Sequence, residues 1–114
     1  MNKRFLNEIT CGDSEQLIQD LDNDSLDLVI TSPPYNVDLG FNAKHQNPYD
    51  LYQDNKSHQD YIEWLKSIFD KIKPKLVTGG RICLNIGDGK NGSVPTHSDI
   101  IQFMTRELGY IMMS

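Results

Sequence analysis

The chain has no apolar run approaching the roughly 20 residues that a membrane-spanning helix needs. No signal peptide is expected either, because Glu8 follows Met1-Asn2-Lys3-Arg4-Phe5 before any apolar stretch of that kind has formed. These two absences predict a cytoplasmic protein with no membrane partner. Cysteine is scarce: Cys11 and Cys83 are the only two, each inside a strand-like apolar run. So placed, they read as two buried thiols rather than a disulfide. Basic charge is short as well, with 11 Lys and Arg against 16 Asp and Glu and a net charge of -5. A protein that holds nucleic acid over its whole surface is thereby excluded, since phosphate binding rests on Lys and Arg. Lys71, Lys73 and Lys75 form the one dense basic run, a solvated helix end or a local phosphate contact. His45, His58 and His97 share no metal-ligand spacing with each other or with the cysteines; they read as solvated, and no metal is expected.

What is present alternates. Residues 5–11 have strand character and end at Gly12-Asp13. Asp13 or Ser14 then caps a short helix over 15–21, with Gln16 placed for a capping box. Leu26-Asp27-Leu28-Val29-Ile30 is a strand that must stop at Pro33-Pro34, because proline donates no ladder hydrogen bond. Residues 37–59 are polar, carry Asn and Pro breakers, and read as one long mobile loop. Tyr61, Leu65, Ile68, Phe69 and Ile72 recur at helical spacing up to Pro74. Gly79-Gly80 introduces a strand over 81–86, and Ile100, Ile101, Met104 and Leu108 mark a second long helix capped by Thr96 or Ser98 and ended by Gly109. Tyr110 to Met113 begin a further strand. This order predicts one α/β domain with right-handed crossovers and ligands beyond the carboxyl ends of the strands, where Asp13, Ser32 to Asn36 and Asp88 fall. Gly87-Asp88-Gly89-Lys90-Asn91-Gly92 satisfies a dinucleotide-binding spacing, but Ser93-Val94-Pro95-Thr96 separates it from the next helix, and a loop is the better reading.

The chemistry concentrates at Ser32-Pro33-Pro34-Tyr35. Two successive residues without N–H groups leave neighbouring carbonyls free of ladder partners, and Pro33 keeps Ser32 extended. A hydroxyl beside a carbonyl is a pair of acceptors suited to an exocyclic amino group, whose two hydrogens need two acceptors once water is excluded. The Tyr35 ring adds a stacking face, worth about 1–3 kcal/mol per base, comparable with the cost of unstacking that base from a duplex. Lys44, Tyr49 and Tyr52 in the long loop are candidates to contact or stack on DNA; the alternative is local packing on the surface. Asp13 is either an ordinary helix cap or a hydrogen-bond acceptor for a cofactor.

Leu28-Val29-Ile30-Thr31-Ser32-Pro33-Pro34-Tyr35-Asn36 resembles the catalytic motif of the amino-group DNA methyltransferases of restriction-modification systems. The likeness extends through Gly12-Asp13-Ser14, Tyr61-Ile62-Glu63-Trp64-Leu65 and Gly79-Gly80-Arg81-Ile82, in the family's order and over nearly the whole chain. It implies a Rossmann-like, S-adenosylmethionine-dependent α/β sheet with helices on both faces. In the class resembled, the catalytic motif precedes the glycine-rich cofactor half and the target-recognition region, and neither of these is found here. The missing half would place two strands between those expected at 5–11 and 26–31. The resemblance therefore implies a single incomplete catalytic domain over 1–114, inactive without its remainder. The implied catalytic residues are Ser32, Pro33, Pro34 and Tyr35. Those toward S-adenosyl-L-methionine are Asp13, Thr31 and Ser32, and Asn36 joins Lys44, Tyr49 and Tyr52 as a DNA contact. Serine at the first motif position is typical of enzymes that methylate cytosine N4, with adenine N6 as the alternative and a non-catalytic DNA-binding module as a reading of another class. A cytosine C5 enzyme is excluded, since the residue after the motif's first proline is Pro34 and not Cys. The implied partners are double-stranded DNA and the remaining half, with a homodimer also admitted.

Overall fold

The computed structural model describes residues 3–36 and 54–113. Its frame is a parallel pair of strands, β1 (Leu26–Thr31) and β2 (Leu76–Leu84), joined through a long helix, α2 (His58–Ile72). A short helix α1 (Ser14–Leu17), continued by a 3-10 turn over Ile18–Asp20, precedes β1. After β2 come one helical turn, α3 (Gly89–Gly92), and a helix, α4 (Thr96–Gln102), that widens into a π-helical turn over Phe103–Glu107. This is a small α/β unit, as the alternating sequence pattern predicts. No helix among the described residues is long and apolar enough to cross a membrane.

The helix α2 forms where the apolar spacing predicts it, starting at His58 because the Ser57 hydroxyl accepts the Asp60 amide at 3.1 Å. Residues 58 and 59, expected in the loop, are thus its first turn. Tyr61, Leu65, Phe69 and Ile72 lie on one face and are buried with Ile100 and Phe103. Val29, Ile82 and Leu84 pack against this cluster from the sheet. Phe69→Ala in such a core costs about 3–5 kcal/mol.

Register explains the two adjacent glycines. Leu26 pairs with Leu76 and Leu28 with Arg81, so β2 carries extra residues over 77–80 in a bulge. Gly79 has φ +82°, and a Cβ on Gly80 would sit 2.9 Å from the Val77 carbonyl oxygen. Gly79-Gly80 therefore lies within the strand instead of introducing it.

Several expectations are corrected. Residues 5–11 do not form a strand: Lys3–Phe5 is a 3-10 turn, Asn7 is left-handed at φ +58°, and Ile9 is fully exposed. The capped helix expected over 15–21 is split into α1 and the following 3-10 turn. Tyr110 to Met113 also lack a ladder: the Tyr110 amide bonds back to the Met104 carbonyl at 2.9 Å, and Ile111 to Met113 are exposed. In both segments a strand-like composition has no strand beside it among the described residues. Ile101, expected on the apolar face of the second helix, is 38% exposed, while Phe103 takes the buried place. The cysteines are free and exposed rather than buried. For Cys83 the cause is plain: it pairs with Ile30 on the sheet face away from α2, where Ile30 is 74% and Leu28 49% exposed. Among the described residues, helices cover one sheet face and not both.

Candidate active site

The carboxyl ends of β1 and β2 are held together past the strands, where the Asn85 amide donates to the Thr31 carbonyl at 2.9 Å. Ser32 to Asn36 leave the sheet there, and Ser32 is exposed while Pro33, Pro34 and Tyr35 are half-buried. The two prolines behave as the sequence predicts, and their carbonyls have different fates. Tyr61 of α2 donates its hydroxyl to the Pro34 carbonyl, fastening the loop to the core. No donor among the described residues reaches the Pro33 carbonyl.

Tyr35 turns back over its own motif. Its hydroxyl lies 2.9 Å from Ser32 Oγ and accepts from Asn85 Nδ2 at 3.2 Å. Its ring lies against Gly87, where a Cβ would fall 2.8 Å from Tyr35 Cδ2. Gly87 thus keeps space for the ring, a demand of close approach rather than of a nucleotide-binding turn. Asn85 and Gly87 are site residues that the sequence reading missed. Their signal was position alone, just past the end of the strand that pairs with the motif strand.

Asn36, expected to contact DNA, closes a clasp within the chain. At φ +59° it turns its carboxamide to Lys56: Oδ1 accepts the Lys56 amide at 2.8 Å and Nδ2 donates to the Lys56 carbonyl at 2.7 Å. Its own amide donates to buried Asp54 at 2.9 Å. This clasp closes the base of the segment 37–53, with the Lys56 ammonium 5.4 Å from the centre of the Trp64 ring. Lys44, Tyr49 and Tyr52 lie outside the described residues, as does His45.

Asp13 caps α1, its Oδ1 accepting the Glu15 amide at 2.9 Å. Glu15 in turn accepts from Trp64 and Lys71 of α2, so the cap is anchored to the core helix. No hydrogen bond joins Asp13 to the motif among the described residues. Lys71, Lys73 and Lys75 are engaged internally, with Glu15, the Leu108 carbonyl and the Leu21 carbonyl respectively. They are not a free basic patch.

The described histidines are solvated as expected, and each is also paired with a carboxylate. His58 lies 2.6 Å from Asp99, linking the first turn of α2 to α4 beside a groove of about 360 Å³. His97 donates its backbone amide to Asp88 and sets Nδ1 2.7 Å from the same oxygen, which holds the Asp88 carboxyl below its usual range. The loop 87–96 is further closed by the buried Thr96 hydroxyl, which accepts the Gly89 amide. No cluster able to hold a metal ion occurs among the described residues.

Comparison with known proteins agrees with this geometry. A DNA methylase family model matches residues 26–113, from β1 to the end of the described chain. The chain is 36% identical over 99 residues to the Type II methyltransferase M.MjaVI of Methanocaldococcus jannaschii, covering 85% of this chain and 47% of that protein. It is 32% identical over 91 residues to the Type II methyltransferase M.BglII of Bacillus subtilis, covering 80% of this chain and 22% of the relative. The chain thus spans less than half the length of these relatives. The fold is similar to that of the PvuII DNA methyltransferase (cytosine-N4-specific), with a TM-score of 0.64 at 23% identity, over 88% of this chain and 33% of that one. With most of its length matched from the motif strand onward, the chain belongs to the DNA methylase family.

Proposed function

We propose that this chain is the catalytic part of a site-specific DNA methyltransferase that transfers a methyl group from S-adenosylmethionine to the exocyclic N4 of a cytosine flipped out of the duplex. The observation that carries the reading is exposed Ser32, its hydroxyl touched by Tyr35 alone among the described residues, next to a Pro33 carbonyl that no donor among the described residues reaches. Serine at that position, rather than aspartate, favours cytosine N4 over adenine N6.

Acceptor counting supports it. A phenol offers one donor and, in the ring plane, one acceptor direction, and a serine hydroxyl offers one donor and two lone pairs. Whichever of Ser32 and Tyr35 donates across their 2.9 Å contact, Ser32 keeps at least one lone pair for an amino hydrogen. The Pro33 carbonyl takes the second hydrogen. Holding both hydrogens draws the nitrogen lone pair out of conjugation with the base and fixes its direction, which is positioning plus electrostatic stabilisation with no covalent nucleophile. Transfer would form the N–C bond as the sulfonium S–C bond breaks and the neutral thioether leaves, and the methylated amine, now acidic, would release one proton to water.

S-adenosylmethionine, when bound, supplies an electrophilic methyl group on a sulfonium. The donor set fits such a cofactor: Asp13 has one carboxylate oxygen held by the cap and the other turned to solvent, an acceptor suited to nucleoside hydroxyl or amino donors. Thr31, whose carbonyl is taken by Asn85, offers its hydroxyl. Lys44, Tyr49 and Tyr52 are assigned to DNA by residue type, with Asn36 shaping the base of their segment through its clasp. The length of the relatives supports the further reading that the chain acts together with a remaining half, and DNA as substrate fits the cytoplasm as its compartment.

The test is Ser32→Ala in the complete enzyme, with nucleosides of the methylated DNA resolved by mass. The expected product is N4-methylcytosine and the expected loss in kcat is about 100-fold or more, as for removal of one preorganised transition-state partner. N6-methyladenine would move the assignment to adenine. Unchanged turnover would leave a DNA-binding module.

A further inference from the structure

We infer that Asn85 is a positioning residue for methyl transfer, acting on Ser32 through the Tyr35 hydroxyl. The inference rests on the function proposed above and adds a residue that the motif does not contain.

Three polar groups lie in a row. Asn85 Nδ2 is 3.2 Å from Tyr35 Oη, which is 2.9 Å from Ser32 Oγ. An amide nitrogen can only donate, so it fills the in-plane acceptor direction of the phenol oxygen. The phenol's one hydrogen then points the other way, to Ser32 Oγ. The row thus has a direction: Asn85 donates to Tyr35, and Tyr35 donates to Ser32. Without it a serine hydroxyl on an exposed loop rotates among three staggered positions, only some of which turn a lone pair outward. With it, the phenol holds Ser32 Oγ in place with one lone pair inward, and the hydroxyl hydrogen has two staggered positions left instead of three before any base arrives.

The backbone makes Asn85 a firm origin for this row, because its amide is bonded to the Thr31 carbonyl on the motif strand itself. Strand β1 therefore fixes both ends: directly at Ser32, and through Asn85 at the phenol. Gly87 adds the third restraint by leaving the Tyr35 ring room to lie back over the motif. The phenol hydroxyl is thereby committed to orienting Ser32, while the ring keeps its part in the pocket.

The test is a double-mutant cycle in the complete enzyme. Asn85→Asp replaces the donor with an acceptor, so the Tyr35 hydrogen turns to the carboxylate and no longer holds Ser32 Oγ in place. The expected result is a fall in kcat of about tenfold with DNA affinity and KM for the cofactor unchanged. The same substitution placed on Tyr35→Phe is expected to cost nothing further, because the row is already cut. A merely structural Asn85 would give additive losses, and additivity or an unchanged kcat overturns the inference. If a carboxylate at 85 lowers the melting temperature, Asn85→Ala reads the same coupling. A Ser32→Ala enzyme that turns over normally would sink the proposed function and this inference with it; an inactive Ser32→Ala beside uncoupled Asn85 and Tyr35 would sink the inference alone.

Discussion

At the scale of single residues, hydroxyl groups do much of the work of placing this loop, and each described tyrosine has a separate task. Tyr61 fastens Pro34, Tyr35 orients Ser32, and Tyr110 donates to the Phe69 carbonyl of α2 at 2.7 Å. The ionisation of Tyr110 is linked to folding. Burial, with the nearby Asp70 charge adding to it, pushes its phenol up to about 12 from an ordinary 10.0. The folded state thus keeps the proton where the unfolded state gives it up. Stability from this group is complete below about pH 10 and is lost as pH rises toward about 12. Urea unfolding across that interval is expected to show a decline that Tyr110→Phe flattens. The variant is expected to start about 1 kcal/mol lower at neutral pH, from the lost hydrogen bond. An equally steep decline in the variant would assign the linkage to other groups.

At the scale of elements, the clasp of Asn36 on Lys56 joins the end of the motif to the start of α2. Two side-chain hydrogen bonds close it, and the left-handed backbone of Asn36 is the conformation in which they form. Asn36→Gly removes the bonds but tolerates the backbone; Asn36→Ala removes the bonds and strains it. The expected losses are about 1–3 kcal/mol for glycine and about 1 kcal/mol more for alanine, read by thermal unfolding, with a rise in KM for DNA in both. Equal melting temperatures for the two variants and the native chain would deny the clasp any role. The contrast between Asn36 and Ser32 shows what the sequence made legible. Motif chemistry is local: Pro33-Pro34 ends a strand wherever it sits, and Tyr61, Leu65, Phe69 and Ile72 announce their helix by period alone. The clasp, the Asn85 contact and the Gly87 space join residues far apart in the chain, and no local pattern encodes them. The segments 5–11 and 110–113 failed for the converse reason, since a strand-like composition becomes a strand only where another strand lies beside it. Gly79-Gly80 was read as a boundary because glycine weakens strands in general, whereas here it makes the bulge that sets the register.

At the scale of the whole molecule, the sheet among the described residues is a two-strand unit that these residues cover on one side. Strands of a parallel sheet are ordinarily buried on both faces, and an isolated pair with one bare face is marginal. Leu28, Ile30 and Cys83 form part of that bare face, on strands that the DNA methylase match includes. Relatives of which this chain covers less than half supply the candidate for the cover, namely the remaining half of the enzyme proposed above. Cys83 is a built-in reporter of it, because a thiol reacts according to its access as well as its ionisation. In the chain alone, both Cys83 and Cys11 are exposed and both are expected to be alkylated. In the complete enzyme, Cys83 is expected to react at least about tenfold more slowly as Ile30 and its neighbours are covered, read peptide by peptide by mass so that Cys11 is counted separately. Loss of protection on separating the halves and its return on mixing them would tie the cover to assembly. Equal reactivity of Cys83 in both states would mean that the completing half packs elsewhere, against the strand edges and not the face, and would remove the apolar face as the reason the catalytic part needs its partner.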